Sequence, residues 1–234
     1  MFNEISRGKK NQYIKQKKVD LYIDSPYPAL VISQRAPSVI KMRRWKKGIS
    51  TYRSVIFVKY NSSIKDIAGL KGKMIAFEEP FSTASYFLPK TALQQKGYVL
   101  EKKSASSITP SQEVIGYTFS GNDKNTIAWV LHGKVVAGAM NEADFDKFSK
   151  LHPQETQKLR VLVETMYVPR HVVSFRKGMP AKLQKKIEQL LANMHNTIEG
   201  GKVLIKFEKT TKFDMLPAKQ KKDLNALKNL IDKP

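Results

Sequence analysis

The sequence predicts an α/β protein with mixed, mostly parallel sheets flanked by helices, and three observations carry this prediction. Short apolar runs bounded by polar turns recur along the chain. Segments of helical period lie between them, which is the alternation typical of βαβ units. The 234 residues are 41% hydrophobic and 26% charged, an ordinary globular composition that can form one large domain or two lobes.

The strands are predicted from short apolar runs that end at turn residues. Valine, isoleucine, phenylalanine and tyrosine concentrate in these runs, and such side chains pack well on a pleated sheet. The predicted strands cover residues 19–23, 54–60, 73–77, 99–103 and 135–140, with an extended stretch over 160–168 and 171–175 that Pro169 interrupts.

The helices are predicted from apolar residues three and four positions apart. The strongest pattern covers residues 180–198, where Leu183, Ile187 and Leu190 share one stripe and lysines lie opposite. Gly200 and Gly201 are expected to end this helix. The other predicted helices cover residues 27–34, 86–95, 125–131, 143–149 and 219–231.

Composition and charge exclude several classes of protein. The chain has no cysteine, which excludes disulfides and thiol chemistry. No stretch reaches the roughly 18 apolar residues of a membrane span, and the basic residues within 1–18 are not followed by the apolar region of an export signal. The net charge is 42 − 20 = +22, which favours nucleic acid, anionic membranes or anionic ligands as partners. Because the lysines are spread along the chain, we expect a generally basic surface and no nucleic-acid partner.

Polar residues that follow predicted strands are the candidate binding residues. Ser82, Thr83 and Ser85 stand where a strand and loop lead into a helix, a place where hydroxyl and N–H groups can hold an anion. Simple capping of the helix explains the same residues. The pairs Asp24-Ser25, Asn122-Asp123 and Asn141-Glu142 also follow strands or end loops, and turn chemistry is an equally good explanation for them.

Catalytic and metal sites are not expected. His132, His152, His171 and His195 lie far apart without metal-ligand spacing, and no nucleophile elbow, Walker loop or dinucleotide fingerprint occurs. Glu78-Glu79 could form a carboxylate pair, but a solvated turn explains it better. We therefore expect no metal, no cofactor and no enzymatic activity.

Several motifs in order resemble the phosphonate/phosphate/phosphite ABC-transporter substrate-binding family. Residues 69–77 and 79–89 resemble its Leu-Lys-Gly-Lys strand followed by a Pro-x-Ser-Thr-Ser loop. Residues 19–26 resemble its first cleft loop, residues 52–56 its crossover strand, and residues 133–139 its Gly-Lys-x-Asp-Ala-Gly-Ala strand. The resemblance spans about residues 19 to 210.

This resemblance implies a type II periplasmic-binding-protein fold with two lobes and two crossover strands, near residues 54–60 and 164–175. Residues 1–60 and 172–234 would form lobe 1, with an incomplete N-terminal part, and residues 61–171 lobe 2. It also implies a periplasmic or extracytoplasmic location and a membrane permease as partner. The solute, a phosphonate-like or phosphate-like anion or another small polar molecule, would bind in the cleft between the lobes.

The family's site positions carry over with three changes. Ser82 and Thr83 match its anion-binding hydroxyl residues, whereas Ala84 replaces the third and Ser85 is a possible substitute. Asp123 stands at the position of the family's histidine, and Asp24 stands at the position of the aromatic residue in its first cleft loop. The resulting binding set is Asp24, Ser25, Ser82, Thr83, Ser85, Asn122, Asp123 and Asn141.

Two other functions stay open from the sequence. A ligand-sensing or scaffold protein could keep the same fold without a role in transport. A basic nucleic-acid-binding protein would explain the net charge of +22, and it would have to show binding with a steep dependence on salt.

Overall fold

A computed structural model describes residues 12–231, which form two compact units. Of the described chain, unit 1 contains residues 12–51 and 168–231, and unit 2 is Tyr52–Tyr167. The chain therefore passes between the units twice, after Thr51 and after Tyr167. The boundaries predicted from the sequence, after residues 60 and 171, fall later in the chain. Residues 54–60, predicted as a crossover, lie inside unit 2.

The strands of the described chain are β1 (Leu21–Asp24), β2 (Ser38–Lys46), β3 (Thr51–Tyr52), β4 (Ser54–Lys59), β5 (Met74–Phe77), β6 (Val99–Lys102), β7 (Val114–Phe119), β8 (Ala137–Asn141), β9 (Leu159–Glu164), β10 (Val168–Pro169), β11 (His171–Arg176) and β12 (Thr210–Met215). Residues 12–15, at the start of the described chain, are helical. The α-helices that follow in the described chain are α1 (Pro26–Arg35), α2 (Leu88–Gln95), α3 (Asp123–Leu131), α4 (Glu142–Leu151), α5 (Pro153–Thr156), α6 (Ala181–Asn193), α7 (Ile198–Lys206) and α8 (Ala218–Lys228). Short 3₁₀ helices cover Ala68–Leu70 and Met194–Asn196, and a π-helical turn covers Thr83–Phe87.

Unit 2 is built on a six-stranded sheet of order β6-β7-β5-β8-β4-β9. The first three neighbouring pairs are parallel, and β4 pairs antiparallel with both β8 and β9. Phe57 of β4 lies in one core cluster with Ile127 and Val130 of α3 and with Phe145 of α4. The predicted mixed, mostly parallel sheet flanked by helices is therefore confirmed in this unit.

Unit 1 has a four-stranded sheet of order β1-β11-β2-β12, in which all three pairs are antiparallel. This arrangement differs from the parallel sheet expected for βαβ units. Helix α1 returns the chain so that β1 and β2 run in the same direction, but β11 lies between them in the opposite direction. Met42, Phe175 and Phe213 of this sheet pack with Leu204 of α7. Strands β3 and β10 pair with each other in a separate two-stranded sheet.

The sequence periodicity did not predict β2, β7, β12 or α7. Charged residues interrupt β2 and usually mark exposed segments, yet here they pair with partners distant in the chain. Arg43 Nε donates to Asp214 Oδ1 at 2.7 Å, and Arg44 Nη2 donates to Glu208 Oε2 at 3.0 Å. These partners lie 171 and 164 positions away, so no local pattern reveals them.

The prediction that Gly200 and Gly201 end a long helix is wrong. Helix α6 ends at Asn193, and Thr197 then caps α7 by accepting from the Gly200 N–H at 3.1 Å. A Cβ atom at Gly200 would lie 1.9 Å from the Met194 carbonyl oxygen. Gly200 is therefore needed for close backbone approach at the start of α7, and both glycines lie within the helix.

Gly138 of β8 provides a test of how tightly unit 2 is packed. A Cβ atom there would lie 2.6 Å from Thr126 Cγ2 and 2.9 Å from Phe57 Cζ. We expect Gly138→Ala to lower the free energy of unfolding by about 2 kcal/mol in chemical denaturation, because overpacking a core is destabilising. The control is Gly201→Ala, which meets nothing within 4 Å and should raise stability by about 0.5–1 kcal/mol. Equal effects of the two changes would contradict this account of the packing.

Candidate functional site

The candidate site lies where β5, β7 and β8 end. These neighbouring strands are parallel, so their carboxyl ends meet at one edge of the sheet, which is the usual place for ligands in open α/β sheets. Glu78 directly follows β5, Asp123 follows the loop after β7, and Asn141 is the last residue of β8. Together with Ser82 and Ser85 of the loop after β5, they form what we call the carboxyl edge of unit 2.

The loop after β5 folds back onto its own strand. The Ser82 hydroxyl oxygen accepts from the Ser85 backbone N–H at 3.0 Å and caps the π-helical turn. The Ser85 carbonyl oxygen accepts from the Glu78 backbone N–H at 3.2 Å. The Ser85 hydroxyl, which is buried, donates to Asp123 Oδ1 at 3.2 Å. One hydroxyl–carboxylate bond therefore ties this loop to the start of α3.

Glu78 lies beside both serines. Burial raises the pKa of the Glu78 carboxyl group, and the nearby carboxylates of Glu79 and Asp144 raise it further. The Ser82 and Ser85 side chains oppose this shift by stabilising the charged form, but their effect is smaller. Glu78 therefore holds a proton more readily than an exposed glutamate does.

Asp123 is the most perturbed acid at this edge. Burial, followed by the nearby charges of Glu78 and Asp144, raises the pKa of Asp123 to about 7, against the opposing effect of the Ser85 hydrogen bond. The carboxyl group therefore changes its protonation near neutral pH.

Asn122 and Asn141 cap the two helices that begin at this edge. Asn122 Oδ1 accepts from the Asn125 N–H at 2.8 Å, and Asn141 Oδ1 accepts from the Ala143 N–H at 3.1 Å. The Asn141 amide also donates to Asp144 Oδ2 at 2.8 Å. Because the amino end of a helix carries partial positive charge, it favours a carboxylate nearby. The protein thus places its own acids at the starts of α3 and α4.

Arg53, immediately before β4, is a strongly paired cation at the same end of the sheet. Its guanidinium contacts Glu142 and Glu164, each at 2.5 Å, and lies 4.9 Å from the centre of the Tyr167 ring. The hydrogen bond to Glu142 is the main cause that raises the pKa of Arg53. Two carboxylates already balance this positive charge, so Arg53 contributes little net attraction for an anion.

The remaining predicted residues, Asp24 and Ser25, lie in unit 1 where β1 leads into α1. The Tyr22 hydroxyl donates to Asp24 Oδ2, and the Ser25 backbone N–H donates to Asp24 Oδ1 at 2.7 Å. The Asp24 carboxylate is therefore held by its own turn. A role for Asp24 and Ser25 in solute binding stays a prediction.

The structure brings some of the predicted residues into direct contact. Ser82, Ser85 and Asp123 are linked by hydrogen bonds, with Asn141 at the same edge. Thr83 is buried at 2% exposure, whereas Asn122 is exposed and acts as a helix cap. Capping, the alternative explanation in the sequence analysis, therefore accounts for part of this set.

The role of Glu78 was not predicted from the sequence. The interpretation of Glu78 and Glu79 as a solvated turn holds for Glu79 but is wrong for Glu78, which is half-buried beside Ser82 and Ser85. The available signal was its position as the first residue after a strand of a parallel sheet. Asp144 was also missed, because only the fold brings the start of α4 beside α3.

Residues 12–231 contain no group of three or more His, Asp or Glu side chains that is placed to hold a metal ion. No helix within the same residues has the length and apolar character needed to cross a membrane.

Solved structures share this fold. XAC2383 from Xanthomonas citri, solved bound to ATP, is 24% identical with a TM-score of 0.87, covering 95% of this chain and 81% of that chain. PhnD1 from Prochlorococcus marinus, solved with methylphosphonate, is 20% identical with a TM-score of 0.64 and coverages of 97% and 84%. The aliphatic sulphonate-binding protein SsuA from Escherichia coli is 18% identical with a TM-score of 0.57 and coverages of 96% and 73%.

A family model shows the family as well as the fold. The model described as the periplasmic substrate-binding protein of a phosphonate ABC transporter matches residues 10–220. This match covers most of the chain and confirms the family and type II fold expected from the sequence. The chain belongs to the periplasmic phosphonate-binding family of ABC-transporter substrate-binding proteins.

Proposed function

We propose that this member of the family binds its solute at the carboxyl edge of unit 2. The family match over residues 10–220 supports a solute-binding role in uptake. The observation that supports this location is the convergence of Glu78, Ser85 and Asp123 at the ends of parallel strands. Binding and release need no covalent step, so we propose that the chain is not an enzyme.

The solute is proposed to present a cationic or hydrogen-bond-donating group to this edge. The Ser85 hydroxyl already donates to the Asp123 carboxylate, and the Ser82 side chain lies beside the Glu78 carboxylate. A second anion placed about 4 Å from an ionised carboxylate is repelled by ~1 kcal/mol in water and ~4 kcal/mol at the lower effective dielectric near a protein surface. An ammonium group is attracted by similar amounts. A small phosphonate that also carries an amino group fits both this site and the family.

A simple anion is the second candidate, and the protonation of Asp123 favours it. With a pKa of about 7, Asp123 can be neutral and donate a hydrogen bond instead of repelling an anion. Capture of an anion would then be accompanied by uptake of a proton. The two candidates differ in their dependence on pH and on the amino group.

The wider setting follows from the family. We propose an extracytoplasmic location and delivery of the solute to a membrane permease, which the family's description as a periplasmic component of an ABC transporter supports. Asp24 and Ser25 of unit 1 stay proposed binding residues. The substitutions Asp24→Asn and Ser25→Ala can be measured in the binding assay described next.

Glu78→Gln tests the proposed charge preference. Binding of methylphosphonate and aminomethylphosphonate is measured by isothermal titration calorimetry at pH 8. The wild-type protein should prefer aminomethylphosphonate, and Glu78→Gln should weaken its binding about tenfold, since loss of a near ion pair removes ~1.4 kcal/mol. The matched control is the exposed neighbour, Glu79→Gln, which should change affinity by less than about twofold. Wild-type preference for methylphosphonate, unaltered by either change, would refute the proposal and favour the simple anion.

Ser85→Ala tests whether the buried hydroxyl belongs to the site. Ligand-induced thermal stabilisation should be largely lost, because Ser85 joins the Glu78 loop to Asp123. The control is Ser149→Ala, at a hydroxyl that bonds only to the Phe145 carbonyl within α4. Retention of full stabilisation in Ser85→Ala would remove this residue from the binding site.

Asp123 predicts a pH dependence of stability. Its folded-state pKa is raised from 3.8 to about 7, so the folded protein keeps a proton that the unfolded chain releases. The free energy of unfolding should therefore fall as pH rises from about 5 to about 8. Asp123→Asn should flatten this part of the plot of unfolding free energy against pH, and it should raise stability at pH 8 by about 1–2 kcal/mol. This is less than the full shift in the Asp123 pKa would give at ~1.4 kcal/mol per pKa unit, because solvent still reaches the carboxyl group. Urea denaturation across this pH range measures the effect, with Asp146→Asn at an exposed position of α4 as the control. Identical pH profiles of Asp123→Asn and the wild-type protein would contradict the prediction.

A further inference from the structure

Helices α6 and α7 of unit 1 expose aliphatic side chains on the outside of the protein. Leu190 of α6 is 59% exposed, and Ile198 and Ile205 of α7 are 74% and 63% exposed. Isolated exposed aliphatic residues are normal, but several within one pair of helices indicate a contact surface. These side chains, with Leu183 and Val203 and the neighbouring lysines given below, are called the α6–α7 surface.

On α7 this surface is distinct from the face that holds the helix on the sheet. The buried Leu204 packs against the core of unit 1. Ile198 and Ile205 are seven positions apart and therefore lie on one side of α7, away from Leu204. On α6, Leu183 and Leu190 lie at the exposed edge of the stripe whose member Ile187 packs against the core. Packing within the unit therefore leaves the apolar side of α7 and the edge of the α6 stripe uncovered.

Positive charge surrounds the α6–α7 surface. The same two helices carry two acids, Glu188 and Glu199, against five exposed lysines, and none of these lysines forms an ion pair with an acidic residue of the described chain. The lysines are Lys182, Lys185, Lys186, Lys202 and Lys206. Lys202 lies between Ile198 and Ile205 on the exposed side of α7, so apolar and cationic groups alternate there.

We propose that the α6–α7 surface docks on an anionic lipid bilayer. Apolar side chains that enter the headgroup region, flanked by lysines that attract anionic lipids, are the features of helices that lie on membranes. Each lysine near such a surface strengthens binding about fivefold, which is ~1 kcal/mol. A second copy of this chain is a poorer occupant, because two surfaces of a protein with net charge +22 repel each other.

Docking of this kind would hold the protein next to the bilayer that contains its proposed permease. The surface belongs to unit 1, whereas the carboxyl edge belongs to unit 2, so solute binding and membrane binding use different residues. Either proposal can therefore fail without the other.

The experiment measures co-sedimentation of the full chain with vesicles of phosphatidylglycerol and phosphatidylcholine, and with phosphatidylcholine vesicles alone. Wild-type protein should bind the anionic vesicles, and binding should weaken with added salt. Lys182→Gln combined with Lys186→Gln, Lys202→Gln and Lys206→Gln should reduce binding by at least about tenfold. The matched control replaces four exposed lysines of unit 2, namely Lys65, Lys96, Lys124 and Lys158, with glutamine. It has the same net charge and should lose less than about threefold.

A second variant tests the apolar part of the surface. Ile198→Ser with Ile205→Ser should reduce vesicle binding about tenfold, whereas Val99→Ser with Leu151→Ser, at exposed positions of unit 2, should have little effect. Circular dichroism and solute-induced thermal stabilisation should be unchanged in all variants. The proposal is overturned if wild-type protein ignores anionic vesicles, or if both lysine variants weaken binding equally. A dimer in sedimentation equilibrium that Ile198→Ser with Ile205→Ser disperses would assign the surface to a second copy instead.

Discussion

Parallel pairing of β5 with both β7 and β8 is the constraint on which the rest of unit 2 depends. It places the ends of three strands side by side, so that residues far apart in the chain meet at one edge. The pairing also requires Gly138 in β8, because Phe57 and Thr126 occupy the space that any side chain would need. The position of Asp123 relative to Glu78 is therefore a product of backbone hydrogen bonding and core packing more than of local loop structure.

The charge at this edge departs from what an anion-binding site usually offers. The helices that begin there supply partial positive charge, and hydroxyl groups of Ser82 and Ser85 supply donors. The carboxylates of Glu78, Asp123 and Asp144 offset this partial positive charge from within the protein. The chain as a whole carries a large positive charge, but the carboxyl edge of unit 2 is acidic, so overall charge is a poor guide to the chemistry of this edge.

The sequence predicted the parts of the protein whose signals are local. The strand and loop around Ser82, together with the other motifs of the family resemblance, led correctly to the type II fold. Strand β2 was missed because its charges pair with residues more than a hundred positions away, as Arg43 does with Asp214. Glu78 was missed because its burial and its repulsion by Asp144 arise from the fold, although its position directly after β5 was a local signal.

The role of the candidate residues in solute binding stays a prediction, and their surroundings depend on tertiary contacts that the sequence does not show. The resemblance identified Asp123 as a departure from a histidine, but its pKa arises from Glu78 and Asp144, whose proximity is tertiary. Asn122 and Asn141 were recognised as polar residues after strands, and the structure uses both to cap helices. Sequence position thus placed these residues after strands, as the structure has them, whereas their role as helix caps required the hydrogen bonds.

Because the Ser85 hydroxyl donates to Asp123, the Asp123 carboxylate competes with any solute that accepts a hydrogen bond from the same hydroxyl. Since Asp123 is tethered beside Ser85, it competes at a high effective concentration and re-forms the bond as soon as the place is vacated. A solute that displaces the Asp123 carboxylate gains only the difference in free energy between two hydrogen bonds. Its binding is therefore weaker, and its dissociation faster, than at a free hydroxyl. A solute-binding protein must release its solute as well as bind it. A tethered competitor of this kind lowers the affinity for the solute and raises its rate of dissociation.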